Sequence, residues 1–194
     1  MRITKSRGDE ETMRSINYPL WALDFQSSSH EDEGFPVEVG VACWPRPQAD
    51  VTWWSSLIRP DKSWVKWSDL SQNYHGISRD QLERAPAVET VAELLGKHLR
   101  DSIVYCNGGS YDSYWATSLY RAARRYPTFI LTSWEEVLQT LEPKTASAAR
   151  LGARTDEPRR AGPAAAHLIR AIARATGHDP GLREVTTMVT PDFI

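Results

Sequence analysis

The stretch Leu20–Glu38, LWALDFQSSSHEDEGFPVE, contains the residues that decide the fold. An apolar run ends at Asp24, a polar loop follows, and a second apolar run opens at Val37. WALDF has the composition of a buried strand, and open sheets usually present their chemistry where a strand ends. Gln26 follows Asp24 by two positions, so the period of a strand sends both side chains to the same face. Because a carboxylate is a hard oxygen ligand for Mg²⁺, Asp24 is the first candidate for an active-site residue.

The composition indicates one globular domain. The chain has 194 residues, of which 41% are hydrophobic, enough for one full core and few for two. The net charge of −2 gives no overall attraction to phosphate, so nucleic-acid binding would need a local basic face. Cys43 and Cys106 both lie in apolar runs, which predicts buried, reduced thiols rather than a disulfide or a metal site.

The domain limits follow from the polarity of the two ends. We predict a polar leader over residues 1–17, one domain over 18–177 and a tail over 178–194. No apolar segment reaches the roughly 20 residues that a membrane span needs. The leader, MRITKSRGDEETMRS, has no apolar signal core, so we expect a cytoplasmic protein without membrane contact.

Apolar runs predict three strands followed by alternating helices and strands. The predicted strands are Leu20–Phe25, Val37–Trp44, Val51–Ile58, Ile103–Cys106 and Thr128–Leu131. The first three strands are joined by turn-rich links, which favours an antiparallel meander. The predicted helices are a short turn at Ser68–Tyr74, a helix from Pro86 to Leu99, Tyr111–Arg124, Ser133–Leu141 and Pro163–Thr176. Ala146–Arg160 lacks clear periodicity and is interpreted as a mobile connection. This order predicts an α/β fold with a mixed five-stranded sheet and helices on both faces.

Several motifs in register resemble the DnaQ-like, or DEDDh, 3′–5′ exonucleases of the ribonuclease H-like superfamily. The matching segments are LDFQSSS, GFPVEVGVA, LIRP, HGISRDQLERAPAVETVAELL, VYCNGGSYDSYW and RRAGPAAAHLIRAI. They span most of Leu20–Ala173 in the family's order and spacing, and the HGIS segment is the most specific of them. The resemblance implies the ribonuclease H-like fold and metal-dependent removal of nucleotides from a 3′ end.

The resemblance also implies five catalytic positions. The family's first strand supplies an Asp and then a Glu, and these positions are Asp24 and Gln26 here. The Asp of the second motif matches Asp112. In the third motif the family has a His and, five residues later, an Asp, and these positions are Arg159 and Ala164. Only Asp24 and Asp112 keep the family's residue type, so they are the candidate metal ligands.

These departures weaken the chemistry that the family performs. Hydrolysis by two metal ions needs cations about 3.5–4 Å apart, and four carboxylates balance their charge. Gln26 offers an uncharged amide oxygen, and Ala164 offers no ligand. Arg159 stays protonated at any working pH, so it cannot accept a proton from water, although it can bind a phosphate. The substitutions favour holding a nucleic-acid strand over cleaving it.

Other residues are weaker candidates for the site. In HGIS, His75 is interpreted as a structural residue of the turn before a helix. His167, one helical turn beyond Ala164, is a possible substitute ligand, as are Glu38 and the acidic loop of Glu31, Asp32 and Glu33. For all of them a packing or solvated role is the simpler interpretation.

Basic and aromatic residues supply the candidate substrate contacts. Trp115 follows Asp112 by one helical turn and, with Arg159 and Arg160, is a candidate substrate-binding residue. The arginines of the C-terminal third form either a phosphate-binding face or a solvated helix surface: Arg150, Arg154, Arg159, Arg160, Arg170 and Arg174. Trp64 and Trp67, in a polar segment, are expected to be partly exposed and able to stack on bases or contact a protein partner.

Three functions remain open at this point. The first is a pseudo-exonuclease, impaired or inactive in cleavage, that still binds single-stranded nucleic acid or a partner. The second is an active exonuclease with a rearranged site. The third is a protein–protein interaction module, and a homodimer is compatible with each. No cofactor is expected for the first and third, whereas the second would need Mg²⁺ or Mn²⁺.

Overall fold

A computed structural model of the chain describes residues 16–31, 33–155 and 158–186. Its strands are β1 (Leu20–Ser27), β2 (Pro36–Trp44), β3 (Val51–Leu57), β4 (Ile103–Cys106), β5 (Ile130–Ser133) and β6 (Leu182–Glu184). Its helices are α1 (Asp69–His75), α2 (Arg79–Glu83), α3 (Val88–His98), α4 (Ser110–Ala122), α5 (Trp134–Gln139), α6 (Pro143–Arg154) and α7 (Ala161–Ala175). Of the predicted leader, residues 1–15 lie outside this description, and Ile16 is buried in the core.

The strands form one mixed sheet in the order β5-β4-β1-β2-β3-β6. The pairs β1–β2 and β2–β3 are antiparallel, so the predicted meander is confirmed. Strands β4 and β5 continue the sheet in parallel from β1, and β6 pairs in parallel with β3. The predicted α/β class is therefore confirmed, with one strand more than the five predicted.

Helices cover both faces of the sheet, as the alternation of side chains along β1 requires. Leu20 and Ala22 point to a core that β1 and β2 share with α5, α6 and α7. Trp21, Leu23 and Phe25 point to the opposite core, which contains residues of α3 and α4. Asp24 and Gln26 continue the even-numbered series and therefore lie on the α7 face.

One prediction for the C-terminal third is wrong. Ala146–Arg160 was predicted to be a mobile connection, but α6 occupies Pro143–Arg154 and packs on α7 through Ala146, Ala149 and Ala153, all buried. The predicted tail, 178–194, contributes β6, and the Val51 N–H donates to the Gly181 carbonyl at 2.9 Å where it joins the sheet. Residues 187–194 lie outside the described part of the chain.

The HGIS segment links α1 to α2 and supports a third, smaller core. His75 ends α1, and Ile77 is buried with Phe35, Val37 and Leu82. The Ser78 N–H donates to Gln81 Oε1 at 2.8 Å, while the Gln81 N–H donates back to Ser78 Oγ, which gives α2 a capping box. This segment therefore fixes the β1–β2 loop region against the helices.

Candidate functional site

The two carboxylates that were predicted to bind metal come from β1 and α4. Asp24 lies half-buried on β1, and Gln26 Nε2 donates a hydrogen bond to Asp24 Oδ2 at 3.0 Å. Asp112 lies in the first turn of α4 and is 2% exposed. The Gly108 N–H donates to Asp112 Oδ2 at 2.9 Å. We call Asp24, Gln26 and Asp112 the carboxylate site.

Gly108 has a steric reason to be glycine. A Cβ atom added at this position would lie 2.5 Å from Asp112 Oδ2, closer than real Cβ contacts allow. The absence of a side chain therefore lets the loop backbone approach the carboxylate and donate its N–H. The NGG loop between β4 and α4 thus positions Asp112.

Cys106, the last residue of β4, lies within the electrostatic influence of both carboxylates. Burial is the largest cause that raises the pKa of its thiol to about 12, followed by the negative charge of Asp112 and, more weakly, that of Asp24. The thiol is therefore protonated at neutral pH. Both cysteines are free and buried, as predicted, but the position of Cys106 beside the carboxylate site was not anticipated. Its place at a strand end, directly before the NGG loop, was the available signal.

Opposite β1 on the same face, Glu38 of β2 is bound to the start of α7. Glu38 pairs with Gln26 across the sheet and is 1% exposed. Arg160 donates from Nη2 to Glu38 Oε1 at 2.6 Å and from Nε to Oε2 at 2.9 Å. The Ala161 N–H adds a third bond to Oε2 at 3.0 Å. Both carboxylate oxygens are engaged, so in this arrangement Glu38 is a partner for Arg160 and not a replacement metal ligand.

Close packing brings α7 against the sheet beside Asp24. Gly40 pairs with Asp24 across β1 and β2, and a methyl group at Gly40 would overlap the backbone of Ala161 and Gly162. Ala164, at the family's last acidic position, is 8% exposed in this packed region and has no polar side-chain atom. We call Glu38, Arg159, Arg160 and Ala164 the α7 side of the site.

Arg159, on the α7 side, lies over Tyr74 of α1, next to His75. The Arg159 guanidinium carbon lies 5.5 Å from the centre of the Tyr74 ring, a cation–π distance. His75 is buried, and its Nδ1 accepts a hydrogen bond from the Ile77 N–H at 3.0 Å, in keeping with the predicted structural role. Burial lowers the pKa of His75, and a hydrogen bond with the Ser27 backbone and the charge of Glu38 oppose that effect.

The other candidate ligands are engaged elsewhere or lie outside the described residues. His167 Nε2 lies 3.1 Å from the Gly152 carbonyl oxygen, so the ring is directed to α6. Glu31 forms a surface ion pair with Lys66 at 2.7 Å. Asp32 falls outside the described part of the chain. Trp115 is 3% exposed and packs in the core with α3, so its ring forms part of the wall and presents no face for stacking.

Most of the arginines in the C-terminal third are paired with acids. Arg150 binds Glu135, while Arg170 and Arg174 both bind Asp179. With Arg160 bound to Glu38, four of the six arginines named in the sequence form ion pairs. The predicted phosphate-binding face is therefore largely neutralised by its own neighbours.

The donor set does not fit a pair of divalent cations. Across residues 16–31, 33–155 and 158–186, no group of three or more His, Cys, Asp or Glu side chains is arranged to hold a metal ion. Asp24 and Asp112 supply two carboxylates, but Gln26 is neutral and Ala164 has no ligand atom.

The same described residues contain no helix long and apolar enough to cross a membrane.

The mixed sheet with helices on both faces is shared with solved structures of exonucleases. No protein-family model and no curated relative matches the sequence. Among solved structures, a full-length 3′-exonuclease matches with a TM-score of 0.60 and 18% identity, over 84% of this chain and 63% of that one. A 3′-exonuclease in a structure of histone mRNA stem-loop recognition matches with a TM-score of 0.58 and 18% identity, over 84% and 65%.

A more distant match has the same fold. Escherichia coli Exonuclease I in complex with a dT13 oligonucleotide aligns with a TM-score of 0.56 and 7% identity, over 82% of this chain and 40% of that one. This chain thus spans a little under two thirds of the two 3′-exonucleases and less than half of Exonuclease I. At these identities the matches establish the shared fold.

Proposed function

We propose that this protein is a DnaQ-like pseudo-exonuclease, which binds single-stranded nucleic acid at the carboxylate site and its α7 side but has impaired or absent cleavage. The observation that carries the proposal is the ion pair between Glu38 and Arg160 at the start of α7. This ion pair lies beside Arg159 and Ala164, the positions at which the family's third motif supplies a base and a metal ligand.

The charges at the carboxylate site and its α7 side support binding without cleavage. Two carboxylates cannot balance two divalent cations, whereas the guanidinium of Arg159 is exposed and able to hold a phosphate. The solved structures of the same fold include proteins bound to a dT13 oligonucleotide and recognising a histone mRNA stem-loop. Nucleic acid is therefore the partner class that the fold favours, and the altered third motif explains why cleavage would be weak.

A cleavage assay tests the first half of the proposal. Purified protein is incubated with 5′-labelled single-stranded DNA and RNA in Mg²⁺ or Mn²⁺, and the products are separated by length. We expect no shortening from the 3′ end. Shortening that Asp24→Ala abolishes, and that the exposed control Glu89→Ala leaves unchanged, would overturn the impaired-cleavage proposal in favour of an active exonuclease.

A binding assay tests the second half. Tryptophan fluorescence is titrated with the same oligonucleotides at low and high salt, and we expect binding that weakens as salt rises because phosphate contacts release counterions. Arg159→Gln should weaken it, whereas Arg170→Gln, which removes an arginine already paired with Asp179, should not. Absence of binding at low salt would favour a protein-interaction module.

A further inference from the structure

A cleft runs along helix α4 from Ser113 to the arginines at and just beyond the end of the helix. Its volume is about 710 Å³, within the usual size range of small-molecule sites. Three arginines, Arg121, Arg124 and Arg125, line it together with Tyr126 and Phe129. Arg121 lies nine positions beyond Asp112, which is about 14 Å along the helix. We call this cavity the α4 cleft.

The α4 cleft has a net positive charge. No Asp or Glu is among its lining residues. Arg125 forms an ion pair with Glu93 at 3.1 Å, whereas neither Arg121 nor Arg124 forms an ion pair with any described residue. A neighbouring cleft that shares Arg121 and Arg124 also contains Glu33 and Asp61, which oppose an anion. The charge therefore favours an anionic ligand in the α4 cleft specifically.

The backbone at Arg124 is strained. Arg124 has φ of 53°, in the left-handed region that glycine adopts without cost. The Arg125 N–H donates to the Tyr120 carbonyl at 3.0 Å and the Arg124 N–H donates to the Arg121 carbonyl at 3.1 Å, the two bonds of a Schellman motif. Glycine is the usual residue at this position of the motif, so an arginine there retains a charged side chain at the expense of stability.

Aromatic surface accompanies the charge. Tyr126 is 91% exposed, which leaves a ring face open beside the arginines, and Phe129 forms part of the apolar wall with Leu131. Stabilisation of the helix end by cations explains why arginines are tolerated here, but it explains neither the strained Arg124 nor the open Tyr126 ring. Guanidinium groups beside an open ring match a phosphate attached to a planar base.

We propose that the α4 cleft binds a nucleotide unit, with Arg121 and Arg124 on the phosphate and Tyr126 against the base. The unit is either a free mononucleotide or one nucleotide of a strand, and the two sources share this chemistry. None of the lining residues belongs to the carboxylate site, so the proposal does not require the function proposed above.

Calorimetric titration of the full chain tests the proposal with three probes: adenosine 5′-monophosphate, adenosine and a dT oligonucleotide. A free mononucleotide as ligand predicts binding of the monophosphate at least tenfold tighter than that of adenosine. Arg121→Gln and Arg124→Gln should each weaken it about tenfold or more, since each removes charge-assisted hydrogen bonds. Arg150→Gln, which removes an arginine paired with Glu135, is the matched control and should leave binding unchanged.

A strand as ligand predicts that the oligonucleotide binds, that the monophosphate does not, and that the same two variants weaken oligonucleotide binding. Binding of neither probe, or binding that both variants leave unchanged, would overturn the proposal. Loss of oligonucleotide binding in Arg159→Gln alone would bear on the carboxylate site and not on this one.

Arg124→Gly separates a binding role from helix capping. It relieves the backbone strain, so the thermal midpoint should rise by about 2–4 °C while binding falls as it does for Arg124→Gln. A more stable Arg124→Gly variant that binds as tightly as the original protein would also overturn the assignment of Arg124.

Discussion

On the β1 and α4 side of the site the carboxylates of Asp24 and Asp112 accept hydrogen bonds from uncharged donors, whereas on the α7 side an arginine and a glutamate bind each other. Gln26 Nε2 donates to Asp24, and the Gly108 N–H donates to Asp112. Glu38 instead forms an ion pair with Arg160. Glu38 thereby anchors the start of α7, where the Ala161 N–H also donates to it, whereas Asp24 and Asp112 accept from β1 and from the loop before α4.

The largest expected effect comes from separating α7 from the sheet. In Gly40→Ala the new methyl group would overlap the backbone of Ala161 and Gly162, so α7 must move away from β2. We expect the free energy of unfolding to fall by about 3 kcal/mol or more, measured by chemical denaturation.

Gly96→Ala is the matched control for this substitution. Its methyl group meets its nearest neighbour at an ordinary 3.5 Å, inside helix α3, and alanine favours the helix. Its stability should therefore be unchanged or up to about 1 kcal/mol higher. Equal stabilities for the two variants would mean that α7 does not need this close approach.

Restoring the family's residues at positions 26, 159 and 164 should give the α7 side the same acidic character as the β1 and α4 side. The variant Gln26→Glu, Arg159→His, Ala164→Asp supplies four carboxylates and a general base. If the carboxylate site is otherwise competent, the single-turnover rate of oligonucleotide shortening in Mg²⁺ should rise on the order of 10²-fold, equivalent to about 2.7 kcal/mol. The added change Asp24→Asn should cancel the gain. A folded triple variant with no gain would show that the defect lies beyond these residues.

Removing Arg160 tests whether Glu38 is an anchor. Arg160→Ala leaves a carboxylate that is 1% exposed with one remaining donor, the Ala161 N–H. Because Arg160 itself is 46% exposed and its removal admits water, we expect a loss of about 2 kcal/mol, below the range for fully buried pairs. Arg170→Ala breaks an exposed pair and should cost less than about 1 kcal/mol. Similar losses in the two variants would contradict the anchoring role.

The smallest expected effect is a loss of stability at low pH, to which His75, near the α7 side, contributes. The pKa of His75 in the folded protein lies below its ordinary value of 6.5, chiefly through burial, with Glu38 opposing the shift and Arg160 and His30 adding to it. The unfolded chain therefore binds a proton first as pH falls below 6.5, and stability should decrease there. His98, also lowered by burial, adds to the trend. Denaturation midpoints at pH 7.5 and 5.5 should differ less in His75→Gln, and an unchanged difference would assign the trend to other groups.

Local sequence patterns predicted the parts of the fold that depend on local signals. Strands β1 to β3 follow from long apolar runs, and β4 was predicted with the bounds that it has. Helix α6 was not predicted because its buried face consists of Ala146, Ala149 and Ala153. Alanines give little contrast in hydrophobicity with a polar surface. Strand β6 was not predicted because its three residues are all exposed and show no apolar pattern.

The site was less accessible to sequence reasoning because its contacts are long-range. Asp24, Gln26 and Asp112 could be placed by motif spacing, but the bond between Arg160 and Glu38 joins residues 122 positions apart. It depends on the register of β2 against β1 and on the close packing of α7 at Gly40. Neither the register nor this packing can be predicted from any single stretch of the chain.

Strand β6 has a practical consequence for anyone shortening this chain. It covers the outer edge of β3, where the Val185 N–H donates to the Trp53 carbonyl at 2.9 Å. An expression fragment ended at Gly177 would leave that edge bare, and bare edges recruit strands from other molecules. Boundaries for crystallisation or labelling should therefore retain Val185, and a fragment without it that elutes as a clean monomer would show the edge to be protected in another way.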